Sequence, residues 1–573
     1  MSEISPSRGA AIRHIVAAAL ALTVLNAVKP LTIDDPSYYR HARQFAHAPL
    51  DPYGGEMFFQ GLFVPAVRNV APPVLIYWLS LGVRVVGDHP GLLKLWLLPF
   101  AILLAAAAYS LLRRFARGLE VQGVWMLLLS PAILPSFNLM LDVPALALSL
   151  AATALFLRAT DRGSLGLALC AGAVAGLATQ TKYTGVTVGA TFMVVGWLRG
   201  RARLAVIACA VVAGMFVGWE VWVANRYGLS QLLHFVDRRA RGETGPGNVL
   251  HLVKPLVYSV GALAAPLIPL GLLGLGARRL AVASLVLVAA AYLAFVFLPG
   301  AAVGLMARAL GSRLVNPYNV TLLGLAPLLV AVCGAVLWRL NFRGAASPSM
   351  RSPAARKTPR WRSRFATRFL TLWLVTELLA YLAISPFPAT RRVLGVLVVL
   401  TLIVCRLASR AVRLGGWRRR LVPVVTMLSV ALGLLYFAAD LDDAWAERLA
   451  VRRVQERVAA NGGGRVWYLA THWGGFQFYA PRAGLRPVIP GRSWLERGDW
   501  LVIPWNIQVA NRLTLADSSL RRVEALPWAG RLPVTTRGSF YRGSRPIRRP
   551  ESDWTAAVLY RVVESGRLVG IHQ

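Results

Sequence analysis

Acidic residues are scarce in this chain of 573 residues, which has 25 aspartates and glutamates against 63 lysines and arginines. Charged residues of both signs make up only 15% of the sequence, and hydrophobic residues make up 56%. This composition excludes a disordered chain, a coiled coil and an ordinary cytosolic enzyme. The formal net charge of +38 would normally suggest a nucleic-acid partner, so the positions of the basic residues decide what the charge means.

Cysteine is also rare, and all four cysteines lie inside apolar runs. The sequence therefore indicates no disulfide framework and no Cys-x-x-Cys metal site. It contains no P-loop and no His-Glu-x-x-His motif, and the scattered histidines share no helical spacing. We therefore expect no cofactor, and the sequence does not support a divalent metal site.

Long apolar runs fill the first three quarters of the chain. A bilayer core requires roughly 20 such residues per helix, and the runs predict about thirteen transmembrane helices, several of them short. The predicted spans are approximately 11–33, 92–112, 120–137, 143–158, 164–181, 184–198, 204–224, 252–276, 280–299, 315–338, 367–385, 393–409 and 421–439.

Arginine clusters occupy alternate junctions between these spans. They include Arg8 and Arg13; Arg113, Arg114 and Arg117; Arg158 and Arg162; Arg199, Arg201 and Arg203; Arg278 and Arg279; and Arg418, Arg419 and Arg420. The positive-inside rule assigns these junctions to the cytoplasm. Topology then explains most of the positive charge, and we expect no nucleic-acid partner.

The same rule predicts a multi-pass protein of the plasma (inner) membrane with a cytoplasmic N-terminus. No small-residue cleavage site follows the first span, so we expect it to be retained as an anchor. The Ser-, Pro- and Arg-rich stretch at 343–366 is expected to be a flexible cytoplasmic loop beside anionic lipid headgroups.

The pattern changes at about residue 440. Short apolar runs (RVWYLA, DWLVIP, AAVLYRVV) alternate with Gly and Pro, which predicts a small extracytoplasmic α/β domain over 441–573 after a membrane domain over 1–440. The segment HWGGFQFYAPR in this tail could fill a core or shape an acceptor groove, and we favour the core.

Two adjacent carboxylates, Asp34 and Asp35, follow the first predicted span in the segment LTIDDPSYYRHA. Asp35 before Pro36 suits a helix N-cap, because the carboxylate accepts a free backbone N–H and proline has none to lose. Capping leaves Asp34 unexplained. A carboxylate at the apolar boundary next to a second acid suits a general base, so we predict that role for Asp34 and favour a structural role for Asp35.

Other polar residues stand at predicted outer ends of spans. Asp142 in LDVP could cap the next helix or face the same cavity as Asp34. Lys182 could extend to the membrane surface or bind a ligand. Arg391 and Arg392 lie on the outer side against the charge rule and suit a phosphate. Glu377 lies inside a span, where an interhelical hydrogen bond and a functional role are both open.

These segments, taken in order over about the first 400 residues, resemble the GT-C glycosyltransferases. The resemblance is specifically to the protein O-mannosyltransferase and lipid A aminoarabinose transferase group (glycosyltransferase family 39-like). The motifs are DDPSYYRHA, then APPVLIYWLSLGVRVVGDHPG, LDVP, GLATQTKYTG and ATRRV. The family often has His or Lys before the two prolines and Arg-Tyr near the last spans, where this chain has Ala71 and Arg391–Arg392.

The resemblance implies a catalytic site formed by the acids after the first and third spans. Asp34 would be the catalytic base, with Asp35 beside it, and Asp142 would face the active site. The implied contacts to substrate and lipid phosphate are Lys182, Arg391 and Arg392, with Arg68 in place of the missing cation before the prolines, Arg40 and Arg43 as substitutes, and Tyr39 in the DDPSYY motif.

The implied activity is inverting transfer of a sugar from a polyprenyl-phosphate donor to a hydroxyl of a lipid, glycan or protein of the cell envelope. The expected partners are the lipid-phosphate donor, membrane lipids and this acceptor. A transporter or flippase for a lipid-linked saccharide is the main alternative, but it would place acids at the midplane and on both sides. A polysaccharide polymerase or ligase is a second alternative, which would carry its long outer loop late in the chain.

Overall fold

The computed structural model describes residues 6–59, 62–69, 71–241, 263–297, 328–339, 360–385, 389–413, 415–470, 474–489, 492–504, 519–528 and 555–567, with isolated residues at 252, 253, 256, 260 and 536. The expected loop at 343–366 lies outside these ranges except from 360 onward. Parts of the spans expected at 252–276, 280–299 and 315–338 also lie outside them.

The described chain is mostly helical. Its helices are α1 Arg8–Ala27, α2 Asp35–His47, α3 Pro73–Val86, α4 Pro90–Leu95, α5 Leu98–Phe115, α6 Glu120–Leu128, α7 Ile133–Ser136, α8 Asp142–Arg162, α9 Leu165–Thr181, α10 Thr187–Arg199, α11 Ala202–Tyr227, α12 Gln231–Ala240, α13 Leu267–Leu275, α14 Arg278–Phe297, α15 Leu328–Arg339, α16 Arg360–Ile384, α17 Leu394–Val412, α18 Trp417–Ala460 and α19 Phe476–Arg482. Most of them are apolar around most of the circumference, as expected for helices in lipid or in a buried core, whereas α2 and α12 are amphipathic.

Seven helical segments in the described ranges are long and apolar enough to cross a membrane: α1, α4 with α5, α8, α11, α16, α17 and α18. Each coincides with a predicted span. Helices α3, α9 and α15 are shorter and apolar. The span predicted at 120–137 is wrong as a single helix: it is divided into α6 and α7 around Pro131, because a proline disfavours helical geometry in the residue before it.

The segment between α1 and α3 contains one helix and one hairpin. Helix α2 follows the turn after α1, and the antiparallel strands β1 Glu56–Phe59 and β2 Leu62–Pro65 precede α3. Helix α2 packs on α3 through Phe45, whose ring lies 4.8 Å from that of Tyr77. This packing holds α2, which begins directly after Asp34, against α3.

The C-terminal part contains a five-stranded mixed sheet. The remaining strands are β3 Val466–Leu469, β4 Arg486–Val488, β5 Trp494–Leu495, β6 Trp500–Pro504, β7 Leu520–Pro527, β8 Thr555–Val562 and β9 Gly566–Arg567. The sheet order is β4-β3-β6-β8-β7, with β3 parallel to β4 and β6, and β8 antiparallel to β6 and β7. The three apolar runs noted above form β3, β6 and β8, so a mostly helical polytopic protein with a small C-terminal α/β domain is confirmed.

Helix α18 connects the bundle to this sheet without interruption. Residue 440, the expected domain boundary, lies inside its 44 residues. Ala450 and Val454 of α18 pack with Tyr468 and Trp500 in the core of the C-terminal domain. Phe476 joins the same core, whereas Phe478 packs with the bundle. Residues 474–480 therefore pack in cores, as favoured from the sequence, whereas Pro481 and Arg482 are exposed and residues 471–473 lie outside the described ranges.

Candidate functional site

The turn that carries Asp34 has an unusual backbone. Ile33 has φ of +51°, and no other non-glycine residue in the described ranges has a positive φ. A β-branched residue in this region costs roughly 1–3 kcal/mol. The Ile33 carbonyl accepts a hydrogen bond of 2.6 Å from the Gly474 amide, which holds the turn against the C-terminal domain. That domain therefore lies at the same end of the bundle as Asp34.

Asp34, rather than Asp35, occupies the N-cap of α2. Its carboxylate makes no capping hydrogen bond. Instead, Oδ2 accepts a hydrogen bond of 2.6 Å from Nη1 of Arg391, which lies in the short 3₁₀ turn between α16 and α17. The turn therefore directs the carboxylate into the bundle and away from the amides of its own helix.

Arg391 joins the two acids predicted to share a site. Its Nη1 lies 3.9 Å from Oδ2 of Asp142, the first residue of α8. Asp142 Oδ1 in turn accepts a hydrogen bond of 2.5 Å from Lys182 Nζ. Lys182 ends α9 and therefore reaches the start of α8 across a helical hairpin. Four positions in the chain thus bring together Asp34, Arg391, Asp142 and Lys182, which we call the acid–base cluster.

The acid–base cluster lies beside a further cation, Arg392, so three positive charges face two negative ones. Burial, together with the neighbouring charge of Arg391, lowers the pKa of Arg392 to about 10. Burial alone would also lower the pKa of Arg391, but Asp34 and Asp142 raise it above its ordinary value. Burial lowers the pKa of Lys182, and Asp142 partly opposes this. Among these five side chains, positive charges outnumber negative ones by one in a poorly solvated setting, which favours an anionic ligand.

A cavity of about 90 Å³ opens next to the cluster. Asp142, Lys182, Arg391 and Arg392 line one part of it, and Glu377 lies farther along. A volume of this size holds several water molecules or a small polar group. Residues of α8, α10, α16 and α17 form its walls, so the cavity extends from the cation-rich turn into the bundle.

Trp373, Glu377 and Tyr381 line the cavity from one face of α16. The Trp373 indole donates a hydrogen bond of 3.0 Å to Glu377 Oε1. A Cβ at Gly395 would overlap the Glu377 carboxylate, so the glycine on α17 leaves the room for it. Trp373 and Tyr381 were not identified from the sequence. Their spacing of four residues on either side of Glu377 was the available signal, since such residues share a helix face.

Tyr38 is a third residue that sequence reasoning missed. Burial raises the pKa of its hydroxyl, and the negative charge of Asp34 raises it further. Tyr38 lies one turn along α2 from Asp34 and feels the charges of Arg391 and Asp142 as well. The resemblance implies the second tyrosine of the DDPSYY motif, Tyr39, instead.

Asp35 lies in a different environment from Asp34. It is completely buried, its Oδ2 lies 3.6 Å from Lys94 Nζ, and it accepts a hydrogen bond from the Thr32 amide. Burial raises the pKa of Asp35, and Lys94 partly offsets this. Nearby, Lys29 pairs with Asp440 of α18 at 2.5 Å. These contacts connect α1 and α4 to α18 and do not include Arg391.

The other predicted cations also lie apart from the acid–base cluster. Arg40 donates to the Gln477 carbonyl, and the Tyr39 hydroxyl accepts a hydrogen bond of 3.0 Å from Arg482, so both face the C-terminal domain. Arg43 is half-exposed and lies 3.9 Å from Asp88, and Arg68 is exposed. Among the described residues, no group of three or more His, Cys, Asp or Glu side chains could hold a metal ion.

Comparisons with known proteins find similar solved structures but no relative by sequence. No protein-family model matches the chain, and no curated protein matches it. An oligosaccharyltransferase from Archaeoglobus fulgidus, in complex with Zn and sulfate, is similar with a TM-score of 0.49 and 12% identity over 91% of this chain and 72% of that one. ArnT from Cupriavidus metallidurans, in the apo state, is similar with a TM-score of 0.42 and 13% identity over 95% of this chain and 97% of that one.

The arabinosyltransferase EmbB from Mycobacterium smegmatis is similar with a TM-score of 0.31 and 16% identity over 75% of this chain and 42% of that one. Because the identities and TM-scores are low, these similarities assign neither a family nor an activity. The function proposed below therefore rests on the acid–base cluster and the cavity.

Proposed function

We propose that the chain is a membrane glycosyltransferase that moves a sugar from a polyprenyl-phosphate donor to a hydroxyl of a cell-envelope acceptor. The observation that supports this most strongly is the bridge from Asp34 through Arg391 to Asp142 beside a cavity lined by Lys182 and Arg392. A candidate base and three candidate phosphate ligands are then within one site at the end of the bundle.

In the proposed reaction, the acceptor oxygen attacks the anomeric carbon while Asp34 takes the hydroxyl proton. The bond from that carbon to the phosphate oxygen breaks, and its electron pair leaves with the phosphate. Attack from the side opposite the phosphate inverts the anomeric centre. Fixed cations aimed at the developing charge stabilise this step more effectively in a poorly solvated site than in water.

Donor binding would also affect Asp34, because Arg391 contacts both the donor phosphate and the Asp34 carboxylate in the proposed site. The Arg391 guanidinium holds Asp34 at 2.6 Å, and an anionic phosphate competes for the same donor group. A donor phosphate that draws Arg391 away would free the Asp34 carboxylate to accept a proton. Donor binding would thus activate the base, and Asp34→Asn should bind donor at least as tightly as wild type.

The proposed site lies at the end of the bundle that carries the C-terminal domain, which we assign to the outer face of the plasma membrane with a cytoplasmic N-terminus. Tyr39 and Arg40 face that domain and would approach the acceptor rather than the donor phosphate. Asp142 would hold Lys182 and Arg391 in place, and Asp35 would support the turn through Lys94. Arg68 and Arg43 would act only at the rim.

Mass spectrometry of envelope lipids and glycans from a deletion strain tests this function. We expect one glycan or glycolipid to lose a single sugar, and wild-type protein but not Asp34→Asn to restore it. Loss of a flippase would remove the same sugar, because the donor would not reach the outer face, so sugar transfer by the purified protein is the measurement that separates the two functions. Restoration by Asp34→Asn at wild-type level would remove the assignment of the base.

A further inference from the structure

A second cavity, of about 300 Å³, lies at the opposite end of the bundle from the candidate site. Arg113 and Arg114 at the end of α5, Arg117 in the following turn and Arg158 near the end of α8 line it. Arg158 is 16 residues beyond Asp142 on α8, or about 24 Å at 1.5 Å per residue. Arg158 and the acid–base cluster are therefore separated by most of a bilayer thickness.

The arginines around this second cavity differ in their partners. Arg114 forms a two-point contact with Asp161, at 2.5 and 2.9 Å, and the same carboxylate lies 3.2 Å from Arg199. Arg158 donates a hydrogen bond of 2.9 Å to the Ser110 hydroxyl, which carries no charge. Asp161 is thus already shared between two cations, and the nearby Glu120 accepts a hydrogen bond of 2.8 Å from the Gly118 amide.

In the described part of the chain, no carboxylate lies within ion-pair distance of Arg113, Arg117 or Arg158. Arg113 and Arg117 are four residues apart, and like charges near each other are unfavourable. The dipole of α5 stabilises arginines at the C-terminal end of that helix. It does not explain a third arginine without an ion-pair partner, Arg158, on the facing helix α8. A bound anion would offset this repulsion.

The rest of the lining suits a lipid. Leu111, Ala154 and Leu157 form an apolar wall beside the guanidinium groups. An anionic phospholipid offers a phosphate to the arginines and hydrocarbon to this wall, and basic pockets between transmembrane helices bind such headgroups. We propose that this cavity, which we call the arginine pocket, binds the phosphate of an anionic phospholipid in the leaflet at this end of the bundle.

Native mass spectrometry of the full-length protein in nanodiscs tests the proposal. The nanodiscs would contain phosphatidylglycerol in phosphatidylcholine, and retained phosphatidylglycerol would be counted. The pocket variant is Arg113→Gln/Arg117→Gln/Arg158→Gln. The matched control is Arg8→Gln/Arg13→Gln/Arg203→Gln, which removes three exposed arginines from the same side of the membrane outside the pocket.

We expect occupancy by phosphatidylglycerol to fall at least about tenfold in the pocket variant and to stay within about twofold of wild type in the control. Equal losses in both variants would show diffuse attraction to the surface and would overturn the proposal. Displacement of the lipid by millimolar inorganic phosphate would also overturn it, because the pocket would then bind free phosphate. Matching melting temperatures of both variants in lipid-free detergent would show that lost occupancy does not reflect unfolding.

Discussion

The ion pair between Asp34 and Arg391 can be measured by a double-mutant cycle with Asp34→Asn and Arg391→Gln. The two groups are 2.6 Å apart, and their side chains are only 23% and 12% exposed. Truncating one partner of a desolvated pair costs roughly 2–5 kcal/mol. We expect the lower part of this range, because Asp34 keeps some solvent and Arg391 keeps Asp142 as a neighbour. The expected coupling free energy is therefore about 2 kcal/mol.

Unfolding in detergent, followed by tryptophan fluorescence, gives the four free energies of unfolding. The exposed pair Arg452–Glu456 on α18 is a matched control, since its groups are 2.9 Å apart but 75% and 58% exposed. Exposed pairs of this kind couple by roughly 0.3–0.5 kcal/mol. If the Asp34–Arg391 coupling is no larger than that of the control pair, the acid–base cluster is not held together as described.

Three further perturbations test neighbouring parts of the molecule. Glu377→Gln keeps an oxygen for the Trp373 indole but removes a carboxylate from the cavity that would repel an anionic phosphate, so in a transfer assay the KM for donor should fall by roughly tenfold while the melting temperature is unchanged. Burial lowers the pKa of His41 to about 4. Between about pH 6.5 and pH 4 the unfolded chain therefore binds a proton that the folded chain excludes. The free energy of unfolding should fall by about 3 kcal/mol as the pH drops through this range. His41→Gln should remove that part of the pH dependence of unfolding. Lys94→Met leaves the buried Asp35 carboxylate without its ion-pair partner and should lower the free energy of unfolding by about 3–5 kcal/mol. The double variant Asp35→Asn/Lys94→Met should recover most of this loss in the same unfolding measurement.

The bundle could be predicted because each span is a local property of the sequence. Apolar length alone identifies α1, α8, α11, α16, α17 and α18, and the alternation of short apolar runs with Gly and Pro identifies the strands of the C-terminal domain. Pro131 shows where this reasoning fails, since a run apolar enough for one span is divided into α6 and α7. The sequence also does not predict that α18 continues past residue 440, because the amino-acid composition changes there although the helix does not end.

The candidate site could be predicted in its residue types but not in its pairings. Asp34 and Arg391 are 357 residues apart, and no spacing rule relates them. Asp142 and Lys182 are closer to predictable, because α8 and α9 form a hairpin that brings the start of one to the end of the other. Asp34 and Asp35 are adjacent but lie in different environments because of the strained turn at Ile33. Sequence patterns do not predict this turn.

The most direct test of the central claim is the initial rate of sugar transfer by the purified full-length protein in lipid vesicles. The assay would use a panel of radiolabelled polyprenyl-phosphate sugars and envelope acceptors, with wild type, Asp34→Asn and Asp35→Asn. If Asp34 is the base, Asp34→Asn should slow transfer by at least roughly 10²–10⁴-fold while retaining donor binding, and Asp35→Asn should cost less. Transfer by Asp34→Asn at the wild-type rate would contradict the account.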